Sequence, residues 1–147
     1  MKVKSFLSAA FAATALMAVG AVSMSFTMMD EKPTSRVVEE GGTGPYKAVM
    51  KEEPTLEAHT IFVPQDLSAF NEKKALPVLV WGNGACNNSP FEHYKFLNEI
   101  ASHGYIVVAT GFMPQEGERY HGPMSTTEQQ IEARDWVEQQ NADKNSP

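Results

Sequence analysis

The 147 residues carry 12 Lys and Arg against 18 Asp and Glu, a formal charge of −6, and the three arginines, Arg36, Arg119 and Arg134, are scattered. That balance argues against nucleic acid or an anionic membrane surface as partner, because both are held by clustered Lys and Arg neutralising phosphates. A single cysteine, Cys86, excludes an internal disulfide, and His93, His103 and His121 have neither metal-ligand spacing nor a paired cysteine. No cofactor is called for.

Lys2 and Lys4 precede an apolar run from Phe6 to Val22 that ends in small residues at Ala21 and Ser23. This is the pattern of a secretory signal peptide. Ser8, Thr14 and Gly20 interrupt the run and Asp30-Glu31 follow it, so a stable membrane anchor is not expected. Cleavage after Ser23 leaves 124 residues, takes the formal charge from −6 to −8 and predicts export to the periplasm or the medium. Residues 24–44, with Glu39-Glu40-Gly41-Gly42-Thr43-Gly44, lack a core-forming period and are expected to be a flexible leader. The domain is expected over 45–147.

Tyr46 to Met50 and His59 to Pro64 are rich in aromatic and β-branched residues and predict two neighbouring strands. Gln65 to Lys74 reads as a solvated connection. Val78-Leu79-Val80 and Ile106-Val107-Val108 are continuous apolar runs, as in strands covered on both faces, and are expected at the centre of a sheet. Between them Tyr94, Leu97, Ile100 and Ala101 form an apolar stripe at helical spacing, closed by Gly104 in a left-handed cap. Gly111 to Pro123 is a loop. Ser125-Thr-Thr-Glu128 predicts a capping box for a second helix whose apolar content is Ile131, Ala133, Trp136 and Val137. Strand, glycine turn, helix, strand is the order of an α/β protein, with its crevice at the carboxyl end of the first of these strands.

The turn Gly82-Asn83-Gly84-Ala85 supports three readings. A dinucleotide site needs a third glycine where Asn87 stands and an acid after the next strand, where the chain runs into Thr110-Gly111. An oxyanion hole needs main-chain N–H groups that no side chain crowds. A plain tight turn needs only the glycines. Ser89, before Pro90, is expected to cap the following helix, and His59 to pack within its strand. Phe112 and Met113, just after the later apolar strand, are candidates to line a substrate pocket.

Pro77-Val-Leu-Val-Trp-Gly-Asn-Gly84, followed by an Asn- and Ser-containing loop and by Phe96-Leu-Asn-Glu-Ile-Ala-Ser-His-Gly-Tyr-Ile-Val-Val-Ala109, resembles the N-terminal half of secreted α/β-hydrolases of the cutinase, polyester hydrolase and dienelactone hydrolase type. The similarity covers about residues 44–140. The resemblance implies an incomplete α/β-hydrolase fold, a mixed and mostly parallel sheet with flanking helices and an antiparallel start. It implies hydrolysis of a small or polymeric ester through an acyl-enzyme on a Ser-His-Asp triad. Asn83, with Gly84 beside it, would then offer an oxyanion-hole N–H, and Cys86 could pair with a cysteine near the nucleophile. No Gly-x-Ser-x-Gly occurs in the 147 residues, so no catalytic triad residue is assigned within them and the chain is expected to be an N-terminal fragment. A short exported interaction module and a dinucleotide-binding domain are the alternatives.

Overall fold

The computed structural model describes residues 34–143 apart from 72, 118 and 121. The expected signal peptide and His121 therefore lie outside the described residues. Among these residues five strands, β1 (Ser35–Arg36), β2 (Ala48–Lys51), β3 (His59–Pro64), β4 (Val78–Trp81) and β5 (Ile106–Thr110), form one sheet in the order β1-β2-β3-β5-β4. Helices α1 (Tyr94–Ser102) and α2 (Thr127–Ala142) pack against it. The α/β class is as expected and the sheet is mixed. It is not mostly parallel: β1–β2, β2–β3 and β3–β5 run antiparallel, and only β4–β5, joined through α1, is parallel. A parallel pair needs a long crossover, and within the sheet only this pair has a helical one.

Alternation of side chains divides the sheet into two faces. Met50, Phe62, Leu79, Val107 and Ala109 gather on one, against Leu97 and Ala101 of α1. Val80, Ile106 and Val108 gather on the other, against Ala133, Trp136 and Val137 of α2 and against Leu56. Each fully buried Phe or Leu contributes roughly 1.5–3 kcal/mol. β3 is buried along its whole length, and β5 lies between β3 and β4. The expectation that both apolar runs are central holds for β5 alone. β4 is the outer strand, and Val78 is 40% exposed.

The stretch expected as a leader contributes β1, whose residues pair with Met50 and Lys51, and buries Val38 in the core. Its described part, residues 34–44, and the adjoining Tyr46 are tied to α1 by main-chain and side-chain bonds. Asn98 Nδ2 donates to Val38 O at 3.1 Å, Tyr46 N–H to Ser102 O at 3.0 Å, and Gly44 N–H to Ser102 Oγ at 3.0 Å. Helix α1 ends as its sequence implies, with Gly104 at φ +90°. Its start differs, because the N-cap is His93 and not Ser89. A turn closed by His93 N–H to Pro90 O intervenes, so Ser89 is buried below the helix with its hydroxyl lacking a partner among the described residues. The capping box of α2 falls one residue later than expected, on Thr126 and Gln129, because Ser125 N–H is bound to Cys86 O at 2.8 Å.

Candidate functional site at the carboxyl rim of the sheet

The pairings bring the carboxyl ends of β2, β4 and β5 and the amino end of β3 to one rim, where His59 faces Thr110 and Trp81 lies beside Ala109. Three loops, 52–58, 82–93 and 111–126, cover it. Gly111 fastens two of them to the rim. Its N–H donates to Ala58 O at 2.7 Å and its carbonyl accepts from Thr60 Oγ1 at 2.9 Å. Asn88 O accepts from Phe112 N–H at 3.0 Å.

The glycine turn follows β4 directly. Asn83 is extended (φ −75°, ψ 150°), and Gly84–Cys86 form a single tight turn in which Ala85 and Cys86 take φ near +55°. Neither Asn83 N–H nor Gly84 N–H makes a hydrogen bond to the described residues. A Cβ built on Gly84 meets nothing within 4 Å. Both N–H groups stand at the carboxyl end of a parallel strand, and the space beside the Gly84 Cα is open, so either one is unengaged and able to donate to a developing oxyanion. Cys86 is exposed with a free thiol.

Phe112 and Met113 both line a cavity of about 720 Å³, with Glu52, Asn88 and Ser89 on its wall beside Pro114, Arg119 and Tyr120. Phe112 stacks on Tyr120 with ring centroids 5.6 Å apart, while Met113 is buried. The structure brings these two expected pocket residues together. Asn83 and Gly84 do not line this cavity; the chain reaches its wall four residues past Gly84, at Asn88. Charge at the rim is mixed. Arg119 pairs with Glu92 at 2.9 Å, and next to Glu52 the Glu53 carboxyl is held below its ordinary range. Burial works to raise Glu53, but the Thr55 hydroxyl and N–H and the Lys51 ammonium outweigh it.

The three described histidines, His59, His93 and His103, do not assemble a catalytic base here. His59 is buried in β3, with Nδ1 2.8 Å from Glu57 O and Nε2 2.7 Å from Gln129 O, which leaves neither nitrogen open to a substrate. His93 packs on Trp81, and His103 lies 3.1 Å from Glu99 on α1. Among the described residues there is no His, Cys, Asp and Glu cluster suited to a metal and no helix long and apolar enough to cross a membrane.

Two side-chain roles at the rim escape a sequence reading, that of Asn83, whose backbone alone was singled out, and that of Gln129. The Asn83 carboxamide links the turn to β5, and the Gln129 carboxamide links α2 to Ala58 O at 3.1 Å and to Asn88 Oδ1 at 2.9 Å. An asparagine between two glycines is the only local signal for the first, and the second has none. Compared with known protein families, with curated proteins and with solved structures, the chain matches none of them.

Proposed function

We propose that the chain is the N-terminal part of an exported serine ester hydrolase of the cutinase, polyester hydrolase and dienelactone hydrolase type, and that the turn after β4 supplies half of its oxyanion hole. The observation that carries this reading is that neither the Asn83 nor the Gly84 N–H is engaged by the described residues, at the carboxyl end of a parallel strand where the space beside the Gly84 Cα is open. The sheet order supports it. An antiparallel β2–β3 pair precedes a parallel β4–β5 pair joined through α1, in line with the antiparallel start that the resemblance implies.

In this reading a serine outside the 147 residues attacks the ester carbonyl while its proton passes to a histidine. The carbonyl oxygen gains negative charge and is stabilised by the N–H of Asn83 or Gly84. Collapse expels the alcohol, and water then releases the acid from the acyl-serine. Phe112 and Met113 would bound the pocket for one part of the ester. The dinucleotide alternative loses support, because α1 begins at Tyr94, ten residues past Gly84, so no helix N-terminus stands at the glycine turn to receive a pyrophosphate. A non-catalytic interaction module is favoured by one feature, the apolar edge of β4, which pairs with no further strand among the described residues.

The native gene product, recovered from the medium and the periplasm, tests the reading through reaction with a fluorophosphonate probe and hydrolysis of p-nitrophenyl acyl esters. The expected result is a labelled species heavier than the 16.2 kDa encoded here. In that enzyme Gly84→Leu should lower kcat by about 10²–10³, the loss typical of one oxyanion donor. A native species that neither labels nor hydrolyses any ester overturns the proposal and leaves the interaction module.

A further inference from the structure

Ala85 and Cys86 are not glycines, yet both hold φ near +55°, a strained conformation for a residue with a Cβ that persists only where neighbouring contacts enforce it. The enforcing contacts are specific. Asn87 N–H donates to Gly84 O at 3.1 Å, and Asn83 Nδ2 donates across the same turn to Asn87 O at 2.9 Å. Its second hydrogen goes to Thr110 O at 2.7 Å, at the end of β5, and Oδ1 accepts from Trp81 Nε1 at 3.2 Å. All three partners agree on one orientation of the carboxamide. A flipped amide would set its oxygen against two carbonyls and its N–H against the indole N–H. The side chain therefore closes a ring around Gly84–Cys86 and anchors that ring to the central strand.

From this we infer that the Asn83 carboxamide is the positioning residue of the turn: it fixes the direction in which the Asn83 and Gly84 N–H groups point. The glycines supply room, and the carboxamide supplies aim. Its structural content stands without the ester-hydrolase reading, and its catalytic consequence rests on that reading.

Asn83→Asp tests the inference, because it keeps the shape of the side chain and replaces both donors with oxygen facing Asn87 O and Thr110 O. Two readouts are needed. In the 147-residue chain, amide hydrogen exchange at Asn87 should accelerate at least tenfold, with shift changes confined to residues 82–88 and 110–111 and the amides of α1 and β3 unchanged. In the native enzyme, kcat on a p-nitrophenyl ester should fall ten- to a hundredfold with KM within twofold. If Asn83→Asp does not fold, Asn83→Ala removes both donors without repulsion and is read in the same way. Unchanged exchange at Asn87 in whichever variant folds overturns the inference. Faster exchange with kcat unmoved in an active enzyme overturns it as well. A wild-type product with no esterase activity refutes the hydrolase reading alone, and the exchange result then decides the inference.

Discussion

Gly111 and Gly84 flank the rim, and they should answer an added methyl group differently. Gly111 has φ +97°, and a Cβ there would fall 2.1 Å from the Asn88 carbonyl carbon and 2.4 Å from Ser89 N, both backbone atoms that cannot step aside. Gly111→Ala should cost at least ~2 kcal/mol, from backbone strain and overpacking together. Gly84 is outside the left-handed region and open, so Gly84→Ala should stay within about 0.5 kcal/mol. Denaturant unfolding of the two variants compares them directly, and equal losses would mean that loop 88–89 does not ride on Gly111. A pH effect belongs to another residue. The Thr43 hydroxyl, and after it the Thr43 N–H, donate to the Glu99 carboxylate and take its pKa from 4.5 to about 2. A carboxylate depressed in the folded state contributes stability in full above its unfolded value and loses it as pH falls toward the folded one. Tm should therefore fall between about pH 4.5 and 2, and Glu99→Gln should flatten that part of the profile. A wild-type slope that survives Glu99→Gln would assign the acid sensitivity elsewhere.

At the scale of elements, α2 is held more by its first turn than by its apolar face. Of its residues only Ala133 is buried, and Ile131, expected to face the core, is exposed. Gln129 accepts Thr126 N–H at 2.8 Å and donates to Ala58 O and Asn88 Oδ1, so one carboxamide caps the helix and moors it to the 52–58 and 82–93 loops. Gln129→Ala should cost about 2–3 kcal/mol, combining a lost cap with an unsatisfied buried acceptor on Asn88. Gln129→Glu keeps the capping oxygen but sets a carboxylate oxygen against Ala58 O and Asn88 Oδ1, and should cost at least as much as Gln129→Ala. Thermal melts of the three proteins would show this order, and a Gln129→Glu variant as stable as wild type would remove the mooring. These ties mark what the sequence could reveal. The limits of β3 were legible to the residue because a β-branched and aromatic run ends at Pro64; the body and end of α1 were legible because Tyr94, Leu97 and Ala101 repeat at its period before Gly104, but its start at His93 was not. β1 was not, since two residues carry no periodicity, and its partners lie 14 or more positions away. Nor were the mooring bonds, because Asn83 and Thr110 are 27 residues apart, Gln129 and Asn88 41. Short-range pattern finds strands and helices; it cannot find a carboxamide's distant acceptors. The candidate site was therefore half legible: the turn and Phe112 and Met113 could be named, but not what holds the turn.

For the whole molecule, the outer position of β4 matters most. Ile106 N–H donates to Pro77 O, so in the parallel ladder the alternate residues Val78 and Val80 turn their N–H and C=O groups away from β5. The strand is Val-Leu-Val-Trp with no Lys or Pro within it, and Phe96, in contact with Trp81, is 54% exposed. Natural edges are blunted by charge, proline or a bulge, and this one is not. The 147-residue chain should therefore self-associate at concentrations of tens of micromolar. Its charge of −6 opposes association through repulsion that salt screens, so raising ionic strength should strengthen it. Val78→Lys adds charge at an exposed position and should return the chain to monomer with a stability change within about 0.5 kcal/mol. Sedimentation velocity at two salt concentrations measures all three effects. Association that persists undiminished in Val78→Lys would place the contact elsewhere. Under the proposed reading, a further strand of the parent enzyme occupies the same N–H and C=O groups. The complete enzyme should then stay monomeric at any salt, and Val78→Lys should destabilise it where it leaves the isolated chain intact.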